Sequence, residues 1–119
     1  MEKKKSTLEL NDLPTNFDAR IQWPACIHPI QDQGNCGSCW AFALAGVLSD
    51  RAWIKGKDLL LAPQDPTSWD KTDAGWGGGY VTNPWYYAIN TGLVTDKWFP
   101  YVSGNGAVPP CPNKWTTTG

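Results

Sequence analysis

Apolar residues recur with helical spacing in the segment that follows Cys39. Four of them fall at positions i, i+4, i+7 and i+8 and would share one face of a helix: Trp40, Leu44, Val47 and Leu48. Ser38 precedes this run, and a serine hydroxyl at such a position often accepts a hydrogen bond from the first N–H groups of a helix. The pattern therefore predicts an amphipathic helix that begins next to Cys39, with Ser38 as its N-cap.

A second, shorter helix is predicted further along the chain. Asn83 is placed to cap it, Pro84 suits the first helical position because it has no N–H to leave unpaired, and Gly92 is placed to end it. Residues 102–113 are rich in Gly, Pro and Asn, a composition typical of an extended surface loop. The longest apolar stretch, 42–48, is too short to cross a bilayer.

The charge balance narrows the classes of partner. Lys and Arg number 10 and Asp and Glu number 11, a net charge of −1, which gives no basic signature for nucleic acid or for an anionic membrane. Met1 is followed by charged residues rather than by an apolar stretch, so no signal peptide is visible. We therefore expect neither a nucleic-acid partner nor a membrane partner.

The candidate chemistry lies in the segment 31–43, which contains cysteines at positions 36 and 39. A cysteine at the start of a helix lies beside unpaired N–H groups and the positive end of the helix dipole, and both favour the thiolate. Since the thiolate is the nucleophilic form, Cys39 is predicted to be a nucleophile. The side-chain amide of Gln33 and the backbone N–H of Cys39 could hold an oxyanion, and Gly37 would let a substrate backbone approach.

A Cys-x-x-Cys pair can also be a thioredoxin-like redox site or half of a zinc site. A redox site would follow a βαβ pattern and a zinc site would need a second Cys or His pair, whereas Cys26 and Cys111 are isolated. His28 is the single histidine, and it precedes the motif in what we expect to be a loop without a catalytic role. The pattern therefore favours a nucleophile, with no metal and no cofactor.

The Cys-Gly-Ser-Cys-Trp run at 36–40 resembles the active-site signature of the papain-like cysteine peptidases. The likeness extends to the start of the mature domain, to two segments typical of the cathepsin B branch and to the glycine-rich wall of the substrate groove: 13–20, 22–26, 49–51 and 77–80. This resemblance implies an α+β papain-like fold of two subdomains. The chain would be the mostly helical left subdomain, with irregular loops.

The resemblance also implies a role for each matching residue. Cys39 would be the nucleophile and Gln33 the oxyanion donor, while Gly37, Gly78 and Gly79 would bind the substrate backbone. The expected activity is proteolysis by thiolate attack on the peptide bonds of polypeptide substrates. Cystatin-type proteins are candidate inhibitors, and the expected location is lysosomal, vacuolar or secreted.

In this family the catalytic histidine and asparagine follow the cysteine by about 130–150 residues, so we expect them beyond roughly position 169. Residues 1–12 would then be residual pro-segment or linker, and residues 13–119 the N-terminal part of a truncated peptidase domain, inactive alone. The nine residues at 102–110 contain no histidine, so the occluding loop of cathepsin B would be absent or severely shortened and the full-length parent an endopeptidase. The alternative is a catalytically inactive papain-like homologue that acts as a peptide-binding module.

Five of the eight tryptophans stand where the family has cysteine: Trp53, Trp69, Trp76, Trp98 and Trp115. By resemblance, disulfides would join positions 26 and 53, 36 and 76, 69 and 111, and 98 and 115, which makes structural half-cystines of Cys26, Cys36 and Cys111. Losing four disulfides would cost roughly 8–20 kcal/mol, against a usual domain stability of about 5–15 kcal/mol. We therefore predict mis-decoded UGA codons, which one variant genetic code reads as Trp and another as Cys. The alternative is a diverged, inactive homologue with aromatic-filled sites.

Overall fold

The computed structural model describes residues 12–69 and 82–107. Within these residues the chain forms four α-helices and one short 3-10 helix: α1 (Ala19–Gln22), α2 (Cys39–Ile54), α3 (Gln64–Trp69), α4 (Thr82–Asn90) and the 3-10 helix Ser103–Asn105. Extended chain contributes an isolated antiparallel bridge between Leu61 and Thr95. The described part of the chain is therefore mostly helical, with long irregular connections.

The central element is α2, which begins at Cys39 as the sequence predicts. Its buried side chains form one stripe: Trp40, Ala41, Leu44, Ala45 and Ser49. The prediction that Val47 belongs to this stripe is wrong, since its side chain is 40% exposed. The spacing of large apolar residues missed the two alanines, and their burial centres the stripe on a face that turns Val47 toward solvent.

Ser38 precedes α2 and holds the N-cap position, but its hydroxyl makes no capping hydrogen bond. The hydroxyl instead lies 2.7 Å from the phenol oxygen of Tyr101 and is fully buried. The prediction of a serine cap is therefore correct for the position and wrong for the side chain. The reason is a competing partner that lies 63 residues away in sequence.

Helices α3 and α4 pack against α2 and against each other. The guanidinium of Arg51 in α2 lies 5.8 Å from the centre of the Trp85 ring in α4. Helix α4 spans Thr82–Asn90, so the predictions of Asn83 as its cap and of Pro84 at its first position are wrong: both lie within the helix, where Pro84 is buried. Gly92 ends the helix as predicted, with a φ of +86° and its N–H donating to the carbonyl of Ala88 at 3.0 Å.

The chain before α3 pairs with the chain after α4. The N–H of Ala62 donates to the carbonyl of Val94 at 2.9 Å, and the N–H of Asp96 donates to that of Leu60 at 2.8 Å. These bonds flank the Leu61–Thr95 bridge and fix how α3 and α4 lie against α2.

A carboxylate is enclosed in this junction. Asp65 in α3 is 2% exposed and accepts hydrogen bonds from the Tyr87 hydroxyl and from the Val94 N–H, each at 2.8 Å. Burial raises the pKa of Asp65, and the two hydrogen bonds oppose that shift because they stabilise the charged form. Asp65 therefore links α3, α4 and the segment after α4 through one buried acid.

Residues 102–107 lie largely at the surface, as their composition predicts, with Val102, Asn105 and Ala107 exposed, but they are not extended throughout. Ser103–Asn105 is a turn of 3-10 helix, and Ser103 is fully buried. It is drawn inward by Gln64, whose side-chain oxygen accepts hydrogen bonds from the Ser103 N–H at 3.2 Å and hydroxyl at 3.1 Å. The buried amide of Gln64 therefore holds one residue of this surface segment in the interior.

Candidate active site

Cys39 is the first residue of α2, and its side chain is exposed. The carbonyl of Ser38 accepts hydrogen bonds from the N–H groups of Ala41 at 2.9 Å and Phe42 at 3.1 Å, so the helix is regular from its first turn. The N–H groups that begin a helix have no carbonyl partner within it and carry partial positive charge. The thiol therefore stands in solvent beside the first N–H groups of α2.

One phenol group joins the two ends of residues 33–38, which we call the oxyanion loop because the sequence predicts an oxyanion donor at Gln33. The hydroxyl of Tyr101 donates to the carbonyl oxygen of Gln33 at 2.8 Å and lies 2.7 Å from the Ser38 hydroxyl. Because a phenol has a single proton, the Ser38 hydroxyl is the donor in the second bond. The main chain of Gln33 is thereby fixed relative to the residue that precedes Cys39.

The oxyanion loop also lies directly on the backbone of Gly104. The N–H of Asn35 donates to the Gly104 carbonyl at 2.7 Å. Gly34 has a φ of +64°, and a Cβ at this position would lie 2.5 Å from the Gly104 carbonyl oxygen. Only glycine fits so close an approach with this backbone conformation. The Asp32 carboxylate accepts the Gly34 N–H at 2.8 Å and closes the turn.

The structure keeps three of the predicted site residues in this single folded segment. Gln33 and Gly37 are half-buried, and Cys39 is exposed at its end. Gly78 and Gly79 lie outside the described residues. In the parts that the structure describes, no group of three or more His, Cys, Asp or Glu side chains could hold a metal ion, and no helix is long and apolar enough to span a membrane.

The two other described cysteines differ from Cys39 in exposure. Cys26 is half-buried and Cys36 is 3% exposed, and all three carry free thiols. Burial and a hydrogen bond with Cys36 raise the pKa of Tyr101 to about 12, and the phenol is neutral at pH 7 with or without this shift. Cys111 lies outside the described residues, and the assignment of these cysteines as half-cystines stays a prediction.

The single histidine lies away from the exposed thiol. The Nδ1 atom and the backbone N–H of His28 lie 2.8 Å and 2.9 Å from one carboxylate oxygen of Asp50, and the ring packs on Trp53 with centroids 4.6 Å apart. Asp50 lies in α2 about 16 Å along the axis from Cys39. His28 therefore braces the far half of α2 and does not reach the thiol.

Sequence reasoning missed two residues that shape this site, Tyr101 and Gln64. Gln64 is fully buried and holds the segment that follows Tyr101, while Tyr101 holds the oxyanion loop. Both contacts join residues far apart in sequence, and neither residue belongs to a spaced motif. The one local signal in the sequence is a glutamine, Gln64, directly after the apolar run 59–63. This signal suggests a structural role for Gln64 but does not identify the residues it contacts.

Comparison with known proteins places these features in a family. A family model described as "Papain family cysteine protease" matches residues 13–118. A curated relative, "Cathepsin B-like CP2" of Giardia intestinalis, is 39% identical over 108 residues, which cover 87% of this chain and 36% of the relative. The chain thus spans about a third of the length of the curated relatives it matches.

Solved structures show the same similarity at the level of the fold. The proCathepsin B S9 of Trypanosoma congolense matches with a TM-score of 0.78 at 31% identity, covering 88% of this chain and 39% of that one. A cysteine protease of Carica candamarcensis, solved in complex with E-64, matches with a TM-score of 0.67 at 27% identity, covering 76% and 42%. These matches confirm the predicted fold class, the mostly helical subdomain of a two-subdomain α+β fold.

Proposed function

Because the chain belongs to the papain family of cysteine proteases, we propose that it carries the nucleophile and the oxyanion site of a cathepsin B-like cysteine peptidase. The observation that carries this proposal is the exposed thiol of Cys39 at the first position of α2. The loop before it is fixed at both ends by Tyr101, which supports a preorganised site rather than a mobile one.

In the proposed reaction the Cys39 thiolate adds to the carbonyl carbon of a peptide bond, and the electron pair of the C=O bond moves onto its oxygen. The Gln33 side-chain amide and the Cys39 backbone N–H donate to that oxyanion. Collapse of the intermediate breaks the C–N bond, the departing amine takes a proton from a histidine, and water then releases the acyl group. In this scheme the substrate backbone binds against Gly37, Gly78 and Gly79.

The proposal includes the inactivity of these 119 residues as an isolated polypeptide. Their single histidine is bound to Asp50, about 16 Å along α2 from Cys39. Without an imidazole beside the thiol, the departing amine has no proton donor and the intermediate returns to substrate.

We also propose endopeptidase activity for the complete protein. Residues 102–110 contain no histidine, and the described part of this segment is tied to Gln64 by the N–H groups of Val102 and Ser103. Polypeptides would be the substrates and cystatin-type proteins candidate inhibitors, in a lysosomal, vacuolar or extracellular setting. One structural relative, a cysteine protease, was solved in complex with E-64, which supports an inhibitable site in the complete protein.

The test compares the complete product of the gene, its Cys39→Ser variant and the 119-residue chain on a peptide blocked at both ends and on the same peptide with a free C-terminus. We expect internal cleavage by the complete product alone, with a loss of at least about 1,000-fold in kcat in the variant. Cleavage confined to dipeptides at a free C-terminus would contradict the endopeptidase assignment. Binding of the peptide without cleavage by the complete product would overturn the proposal in favour of a peptide-binding module.

A further inference from the structure

Residues 101–106, which we call the platform, lie under the oxyanion loop although they are more than 60 positions away in sequence. The backbone of Gly104 accepts the Asn35 N–H at 2.7 Å, and a Cβ on Gly106 would come within 3.1 Å of the Asn35 carbonyl oxygen. A Cβ on Gly104 would lie 3.9 Å from the carbonyl oxygen of Gln33. The two segments are thus in backbone contact along their length.

Tyr101 joins the platform to the oxyanion loop through side-chain hydrogen bonds. Its hydroxyl donates to the Gln33 carbonyl and accepts from the fully buried Ser38 hydroxyl. The phenol oxygen therefore lies between the first and the last residue of the oxyanion loop. Its ring meets the Phe42 ring of α2 edge to face, with centroids 4.7 Å apart and planes at 80°. The phenol is therefore fixed against both the loop and the helix that carries Cys39.

Gln64 anchors the platform through hydrogen bonds to Val102 and Ser103. Its side-chain oxygen accepts the N–H of Val102 at 2.9 Å and that of Ser103 at 3.2 Å, the two residues that follow Tyr101. Its side-chain nitrogen donates to the hydroxyls of Ser68 and Ser103 at 2.8 Å and 2.9 Å. Because Gln64 is fully buried, each of these bonds replaces a lost contact with water and is costly to break.

We propose that Tyr101 is a positioning residue for the oxyanion site, and that Gln64 fixes it by anchoring the platform. This inference rests on the proposed function of Cys39 and Gln33. Oxyanion donors act at about 2.7–3.1 Å, and a displacement of about 1 Å is enough to weaken catalysis strongly. Loss of the phenol hydroxyl leaves the Gln33 carbonyl and the Ser38 hydroxyl without their shared partner, so the loop that places the donors can shift.

The experiment uses Tyr101→Phe in the complete gene product, with Tyr86→Phe as the matched control. Tyr86 lies in α4 and is 41% exposed, so removing its hydroxyl should change no measured value by more than about 2-fold. Each protein is assayed for kcat and KM, for inhibition by a peptide aldehyde, and for the rate of alkylation by iodoacetamide. The thiolate adds to the aldehyde carbon, and the former carbonyl oxygen then lies in the oxyanion site. Alkylation needs only the thiolate, which displaces iodide from iodoacetamide.

For Tyr101→Phe we expect kcat to fall about 10-fold, less than the 100-fold or more that loss of a donor causes, with KM changed less than about 2-fold. Affinity for the aldehyde should fall by the same factor, and the alkylation rate should stay within about 2-fold of wild type. Gln64→Leu should reproduce this pattern, and Gln64→Glu, which keeps the acceptor for Val102 and Ser103, should largely restore kcat.

The outcomes separate this inference from the proposed function. If the wild-type product neither cleaves peptides nor binds the aldehyde, the proposed function fails. If it does both and Tyr101→Phe matches it, or if alkylation falls as much as kcat, the positioning role alone is overturned. Should Tyr101→Phe fail to fold, Ser38→Ala, which removes the other hydroxyl of the same pair, must lower kcat and aldehyde affinity together without slowing alkylation.

Discussion

Gln33 takes part in the proposed site through two different groups. Its carbonyl oxygen is held by the Tyr101 hydroxyl at 2.8 Å, while its side-chain amide is the proposed donor to the oxyanion. The division matters because a substitution of the side chain leaves the main-chain anchor in place. Changes at residue 33 should therefore report on electrostatic stabilisation and not on the fold of the loop.

Gln33→Ala in the complete gene product should lower kcat by about 100- to 1,000-fold and change KM little, since the lost bond forms only with the developing oxyanion. Steady-state kinetics on a blocked peptide measure this. Gln22→Ala is the matched control, because Gln22 is an exposed glutamine at the end of α1. An equal loss in the control, or a loss confined to KM, would contradict the assigned role.

The identity of five residues can be tested by direct chemistry. The hypothesis of mis-decoded codons predicts that the natural protein has cysteine at positions 53, 69, 76, 98 and 115. In the structure the Trp53 ring packs on His28 and Trp98 is half exposed, so both indoles are accommodated and the hypothesis stays a prediction. Peptide masses from the natural protein decide it, and tryptophan at position 76 or 98 would refute it.

At the scale of elements, the contact between the oxyanion loop and the platform depends on Gly34. Gly34→Ala should destabilise the protein by about 2–4 kcal/mol, since it adds a left-handed backbone penalty to a clash with Gly104. Gly56→Ala is the matched control: its φ is +87° but a Cβ there would meet nothing within 4 Å, so we expect only about 1–2 kcal/mol. Urea unfolding measures both, and equal losses would show that the close contact is not formed.

The junction of α3 and α4 should make stability depend on pH through Asp65. Burial raises the pKa of this carboxyl in the folded protein, so folding favours its neutral form. Its stabilising contribution is then complete below the unfolded pKa of about 3.8 and is lost as pH rises through the folded pKa. Asp65→Asn, whose amide can face Tyr87 and whose oxygen can accept the Val94 N–H, should gain stability relative to wild type as pH rises from 4 to 7.

Tyr87→Phe provides the opposing variant for this measurement. It removes a hydrogen bond that stabilises the charged carboxylate, so it should raise the pKa of Asp65 further and steepen the loss of stability with rising pH. Unfolding curves at several pH values measure both slopes. Parallel curves for wild type and Asp65→Asn would mean that the buried carboxyl does not control this pH dependence.

For the molecule as a whole, the sequence predicted what depends on local spacing. The start of α2 at Cys39, the end of α4 at Gly92 and the family followed from motifs and periodicity. Sequence-based prediction failed where a contact with a residue far away in sequence determines the local structure. The Ser38 hydroxyl bonds to Tyr101 instead of capping α2, and Ser103 is buried against Gln64. Such contacts produce no periodic pattern in the sequence. The roles of Tyr101 and Gln64 therefore became visible only in the structure.

The chain spans about a third of the length of its curated relatives, and the proposed function makes a specific demand on its cysteines. Under that proposal Cys39 is an activated nucleophile, whereas Cys26 and Cys36 are not. The difference in exposure between these thiols supports it. A reagent that reacts only in a formed active site can separate Cys39 from its neighbours.

The most direct measurement is labelling of the complete gene product with a peptidyl epoxide between pH 5 and 7, followed by peptide mass spectrometry. The thiolate opens the epoxide ring, and the alkoxide formed takes a proton, so one covalent adduct marks the reacting cysteine. We predict a single adduct on the peptide that contains Cys39, with Cys26 and Cys36 unmodified. Absence of any adduct in the folded protein, or an adduct on Cys26 or Cys36 instead, would contradict the account.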